Sequence, residues 1–191
     1  MRLLAVTCAV LLAPAVSLGW GFDGHRRLTA NLDEPFPEGS CLRGFLAQYT
    51  SQFSFQDQSC DPDRWRNDDP VECETRRNAP VSCEFAKHYL DVDYASPIES
   101  YPRDWTEAEA RFGEHAVANG RVPWRVEEVY GQLIDAFRAK NTTQVKSLIA
   151  HLSHYVTDAF SPMHDTKMQP GACPECLHLR YESDMLGTRA K

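Results

Sequence analysis

Residues 151–182, HLSHYVTDAFSPMHDTKMQPGACPECLHLRYE, hold four of the seven histidines of the chain. His154 and Asp158 stand four apart, His164 follows, and His178 and Glu182 again stand four apart. On a helix of about 3.6 residues per turn, positions i and i+4 share a face, so each pair can aim an imidazole and a carboxylate at one point. Imidazole nitrogen and carboxylate oxygen are both zinc ligands, at roughly 2.0–2.2 Å. One such pair is an ordinary contact on any exposed helix. Two pairs and a further histidine within so short a stretch point instead to a metal site.

The remainder of the sequence sets the compartment. Residues 1–19, MRLLAVTCAVLLAPAVSLG, combine a single arginine, an apolar run and small residues at Ser17 and Gly19, the pattern of a signal peptide cleaved before Trp20. The run is too short for a membrane anchor. Residues 20–191 then form one domain, secreted or periplasmic, with six cysteines: Cys41, Cys60, Cys73, Cys83, Cys173 and Cys176. An even count in an exported chain implies up to three disulfides. The Cys173–Cys176 spacing suits a local disulfide in front of His178. Asn141-Thr142-Thr143 is a glycosylation sequon if the host is eukaryotic. The net charge is −7, and one unit more negative once Arg2 leaves with the signal peptide, which argues against an extended basic surface for duplex DNA.

Apolar periodicity predicts helices over residues 38–49, 104–119, 123–140 and 142–160, with one more from about Gly24 that carries His25 in its first turn. Pro162 stops the helix that bears His154 and Asp158. Residues 52–80 are polar, rich in Asp, Arg, Pro and Cys, and read as a long loop held by disulfides. Residues 85–94, FAKHYLDVDY, alternate in their second half and read as a short extended segment with His88 near its start. No repeat, dinucleotide-binding glycine motif or phosphate loop is present. The expected architecture is all-α with long irregular loops.

Taken together, Trp20 with His25 in WGFDGH, His88 in HYLDVD, the His154-x-x-x-Asp158-x5-His164 core and His178-x-x-x-Glu182 resemble, in order and type, the ligands of the zinc-dependent phospholipase C and single-strand-specific nuclease superfamily. The resemblance runs over essentially all of residues 20–191. It implies a mostly helical fold with three zinc ions and a mature N-terminal Trp as a ligand. By that resemblance His88, His154 and Asp158 hold one zinc. Asp158 bridges to a second, bound by His25 and by the amine and carbonyl of Trp20, while His164, His178 and Glu182 hold the third. The family also has an upstream aspartate. Asp63 is assigned that place, with Asp61, Asp69 and Glu74 as alternatives, and Asp63 and Asp158 are the expected catalytic carboxylates.

The implied chemistry is hydrolysis of a phosphodiester by a metal-bridged hydroxide, since zinc lowers the pKa of bound water toward about 7. Glu182 and the SPMHD sequence favour a phospholipase C acting on phospholipid head groups. The WGFDGH spacing and the aspartate after His164 favour a nuclease or nucleotidase acting on single-stranded nucleic acid or nucleotides. The chain ends nine residues after Glu182, where the family continues, so a short or truncated member is expected. A reading of another class is an inactive secreted module whose zinc cluster is a structural staple.

Overall fold

A computed structural model of the protein describes residues 20–70, 73, 80–94 and 101–165. The expected signal peptide, the Cys173–Cys176 pair, His178, Glu182 and the alternative ligand Glu74 lie outside the described residues. The described residues are mostly helical and contain no strand beyond an isolated bridge between Leu90 and Gly120.

Two long antiparallel helices form the centre. In α6 (Val122–Arg138), Val122, Trp124, Val129, Leu133 and Ala136 turn inward, and in α7 (Thr142–Ala159) Val145, Leu148 and Tyr155 join them in one core. Burying each valine and leucine of this set contributes about 1.5–3 kcal/mol. Three residues join the helices. Lys140 takes φ 54, and Asn141 caps α7 by accepting from the Gln144 amide at 3.1 Å. Tyr130 and Phe137 of α6 remain exposed.

The shorter helices gather around α7. Helix α1 (Gly21–Ala30) packs on α7 and on α3 (Phe53–Gln58), and α2 (Cys41–Thr50) is capped by Ser40. α4 (Asp61–Asn67) starts with Pro62 in its first turn, and α5 (Trp105–Phe112) is capped by Asp104. Helix α1 begins at Gly21, so His25 lies in its second turn rather than its first.

Two expectations require correction. Residues 52–80 are not one loop: α3 and α4 occupy its first half. Their apolar residues are buried Phe55 and Pro62 and exposed Phe53 and Trp65, too few for periodicity to register. A disulfide does close this region, between Cys73 and Cys83, whereas Cys41 and Cys60 are thiols. Residues 85–94 are not a strand either. Phe85–His88 and Val92–Tyr94 are 3₁₀ turns, and only Leu90 between them bridges. Tertiary hydrogen bonds impose this shape. Leu90 donates its amide to His164 O at 2.8 Å, Asp91 to Asn119 O at 2.8 Å, and Val92 to Asp165 O at 3.2 Å. Arg121 and Val122 return the contact by donating to Ala86 O and Tyr89 O at 2.7 and 3.1 Å. Gly120 makes the approach possible: at φ 85, a Cβ there would meet Tyr89 O at 2.2 Å. The segment carrying His88 is thereby held between the start of α6 and the turn carrying His164.

No helix among the described residues is long and apolar enough to cross a membrane.

Candidate metal centre

Four elements converge on the C-terminal half of α7. This helix supplies His154 and Asp158, one turn apart and both fully buried. His25 comes from α1 and Asp63 from α4. His88 ends one 3₁₀ turn, and His164 ends another, Pro162–His164, which begins where Pro162 halts α7. All six side chains are buried, none more than 4 % exposed. So many ionisable groups withdrawn from water need a compensating charge.

The tightest part is a triangle. His154 Nε2 and His88 Nδ1 are 2.9 Å apart, and Asp158 Oδ2 lies 2.9 Å from His88 Nδ1 and 3.1 Å from His154 Nε2. Ligands at about 2.0–2.2 Å around a tetrahedral zinc stand roughly 3.3–3.6 Å from one another. The triangle is within a few tenths of an ångström of that size, and its three atoms can hold a cation. A second group, His25, Asp63 and His154, offers ligand atoms that all lie within 4.8 Å of one another. His25 Nε2 is 3.5 Å from Asp158 Oδ1 and 3.9 Å from Asp63 Oδ2.

Neighbouring groups decide which nitrogen of each ring is bare. The Thr157 hydroxyl donates to His154 O at 2.8 Å, so toward His25 it accepts, and Nδ1–H of His25 donates to it at 3.2 Å. The lone pair of His25 is therefore on Nε2, buried, facing two carboxylates and without a hydrogen-bond partner among the described residues. His154 donates Nδ1–H to Ser59 O at 2.7 Å, and His164 donates Nδ1–H to His88 O at 2.5 Å, which puts both lone pairs on Nε2 as well. Oxygen partners on the far side of metal-binding histidines are the usual means of setting tautomer and ring orientation. Buried Asp63 Oδ1 and Asp158 Oδ1 also lack hydrogen-bond partners among the described residues. Bare imidazole nitrogens turned toward carboxylate oxygens repel unless a proton or a metal ion lies between them.

The protonation balance agrees with this. Burial pulls His25 well below the ordinary histidine value, aided by His154, so its ring is neutral near pH 7. Burial acts on His154 in the same sense, but Asp158 outweighs it and lifts that imidazole above its ordinary value. Burial would raise the Asp158 carboxyl, yet His154, then His164 and His25, hold it well below the usual carboxylate range. A proton shared among these three atoms, or a cation bound between them, would each relieve the repulsion.

The structure brings His25, Asp63, His88, His154, Asp158 and His164 together, with His164 Nδ1 3.9 Å from Asp158 Oδ1. Trp20 lies against the same turn of α7, its indole donating to Thr157 O at 2.7 Å. Among the candidates for the upstream carboxylate, Asp63 is the one beside the histidines. Asp61 pairs with Arg64 at 2.6 Å and faces His151 at 3.5 Å, and Asp69 accepts the Glu84 and Phe85 amides at 2.8 Å each. Arg66, one turn after Asp63, approaches its Oδ1 at 3.5 Å. Sequence reasoning missed three contributors: Thr157, the Ser59 carbonyl and Glu84. Thr157 adjoins Asp158 and was discoverable; a backbone carbonyl leaves no trace in residue identity.

A separate cavity of about 390 Å³ is lined by Leu90, Tyr101, Trp124, Arg103 and Glu127, among others, and by none of the six clustered residues. Comparison with family models, with curated proteins and with solved structures returns no match to this chain.

Proposed function

We propose that the protein is a secreted zinc-dependent phosphodiester hydrolase of phospholipase C type, resembling the zinc-dependent phospholipase C and single-strand-specific nuclease superfamily. One observation carries the reading: four histidines and two aspartates, scattered from residue 25 to residue 164, meet in a buried cluster with bare nitrogens facing carboxylates. Neutral imidazole and carboxylate donors suit Zn²⁺. His88, His154 and Asp158 would hold one ion, and His25 with Asp63 a second beside it. Asp158 lies between the two sets through Oδ2 and Oδ1. His178 and Glu182 would complete a third with His164.

Bound zinc supplies a water acidified to near neutrality and charge withdrawal from phosphate oxygens. The residues of this chain provide position and proton handling. Thr157 and Ser59 O orient His25 and His154 with their Nε2 lone pairs toward the carboxylates, and His88 O fixes the tautomer of His164. Asp158 holds two ligand sets at a fixed separation. Asp63, near Arg66, would accept a proton from an attacking water.

Purified protein starting at Trp20 is expected to carry tightly held zinc, up to three equivalents, and to hydrolyse phosphatidylcholine to a phosphorylated head group. Cleavage of single-stranded DNA instead would transfer the reading to the nuclease branch. Bound zinc without turnover of either substrate would leave a structural metal module and overturn the enzymatic reading.

A further inference from the structure

Behind His88, on the side away from Asp158, lies a buried polar network that the cluster itself does not use. Glu84 is 6 % exposed, and its Oε1 stands 3.7 Å from His88 Nε2. The Tyr155 hydroxyl donates to the same oxygen, and Lys87 Nζ donates to Oε2 at 2.7 Å. The position of Glu84 is fixed from the backbone as well, because Asp69 accepts the amides of Glu84 and Phe85. Arg125 lies 5.0 Å from the centroid of the Tyr155 ring and balances the buried negative charge. Glu84 thus ties the turn carrying His88 to α7 at the residue after His154.

His88 differs from the other three histidines in one respect. Each of those has its tautomer set by an Nδ1–H bond to an oxygen, whereas in His88 Nδ1 is the nitrogen that faces the triangle. A neutral His88 has two choices. With the proton on Nδ1, its Nε2 lone pair would face the Glu84 carboxylate in a buried space. With the proton on Nε2, a positive N–H faces that carboxylate and Nδ1 is bare toward Asp158 and His154. Only the second arrangement leaves His88 able to bind a cation.

We propose that Glu84 is a positioning residue whose negative charge holds His88 in the Nε2–H tautomer and so presents Nδ1 to the metal. The inference rests on the metal reading above. Both oxygens of Glu84 accept from donors other than His88, Oε2 from the Lys87 ammonium and Oε1 from the Tyr155 hydroxyl, the partners of a carboxylate anion. Tyr155, pushed far up by burial and by Glu84, remains a hydroxyl donor.

Two measurements test it. In metal-free wild-type protein, two-bond ¹⁵N–¹H correlation spectra are expected to show His88 as Nε2–H; an Nδ1–H tautomer there overturns the proposal whatever the variants do. In zinc-competition titrations, Glu84→Gln, which keeps the shape and removes the charge, is expected to weaken binding about 10- to 100-fold. Glu84→Asp, which keeps the charge, is expected to recover most of that loss. Equal affinity in wild type and Glu84→Gln, with the His88 tautomer unchanged, reduces Glu84 to a structural carboxylate. Wild-type protein that takes up no zinc counts against the metal reading, and the tautomer spectrum then judges Glu84 separately.

Discussion

The Nε2 atom of His154 stands 2.9 Å from the Nδ1 atom of His88, a residue 66 positions earlier in the chain, with Asp158 Oδ2 within 3.1 Å of both. Two ring nitrogens and a carboxylate oxygen at these separations, out of contact with water, need a positive charge among them. A proton on one of the rings or a cation bound among the three atoms would supply it.

Asp158→Asn tests the anion of that triangle. The amide is isosteric but supplies neither the charge that raises His154 nor the second oxygen facing His25. Zinc content after dialysis is expected to fall by at least one equivalent per chain, read by elemental mass spectrometry. Unchanged stoichiometry would remove Asp158 from the ligand set.

Chelation should destabilise the fold. A ligand held at about 100 times its Kd stabilises by about 2.7 kcal/mol, and for a domain of this size each kcal/mol moves Tm by about 2–4 °C. Adding a strong chelator is therefore expected to lower Tm by about 5–10 °C, reversibly on returning zinc. A melt insensitive to both would show that the cluster holds no ion.

The metal-free protein should lose stability on acidification from neutral pH. Burial depresses His25, His88 and His151 below the ordinary value of 6.5, so below that pH the unfolded chain binds protons that the folded chain refuses. Their contribution is complete above 6.5 and shrinks as pH falls. His154, raised by Asp158, works in the opposite sense: its contribution is present below 6.5 and is lost as pH rises through its folded value. His25 is held well below its ordinary value, with His88 and His151 depressed in the same sense, so the urea midpoint at pH 5 is expected to lie below that at pH 7. An equal or higher midpoint at pH 5 would show that these rings are not buried neutral.

Cys60 should resist thiol reagents. Its side chain is buried, donates to Phe22 O at 3.4 Å, and is pushed up to about 11 by burial, which leaves roughly one thiolate per thousand at pH 8. Native alkylation followed by peptide mass mapping is expected to label exposed Cys41 and to reach Cys60 only after denaturation. Rapid labelling of Cys60 in the folded protein would contradict the seating of its thiol against Phe22 of α1.

One extra residue ahead of Trp20 tests the terminal ligand. The Trp20 indole is seated on the last turn of α7, through Thr157 O. If the α-amine of Trp20 binds metal, a protein with one added N-terminal residue should hold one zinc fewer. Equal metal content in the two forms would exclude the amine.

Residue order alone announced the helical class, because α6 and α7 bury one face each and their side chains repeat with the turn of the helix. It also announced His154 with Asp158, since a helix brings positions four apart onto one face whatever surrounds it. The remaining choices were made by the tertiary fold. Asp61, Asp63 and Asp69 are equivalent by composition and differ only in where α4 and its flanks carry them: onto Arg64 and His151, into the histidine cluster, or onto the amides of Glu84 and Phe85. The turn at His88 takes its shape from bonds to residues 119–122 and 164–165 rather than from its own alternating pattern. Which nitrogen of each imidazole is bare depends on a threonine hydroxyl, two backbone carbonyls and a buried glutamate. Such contacts form only when distant segments pack together, and no local pattern encodes them.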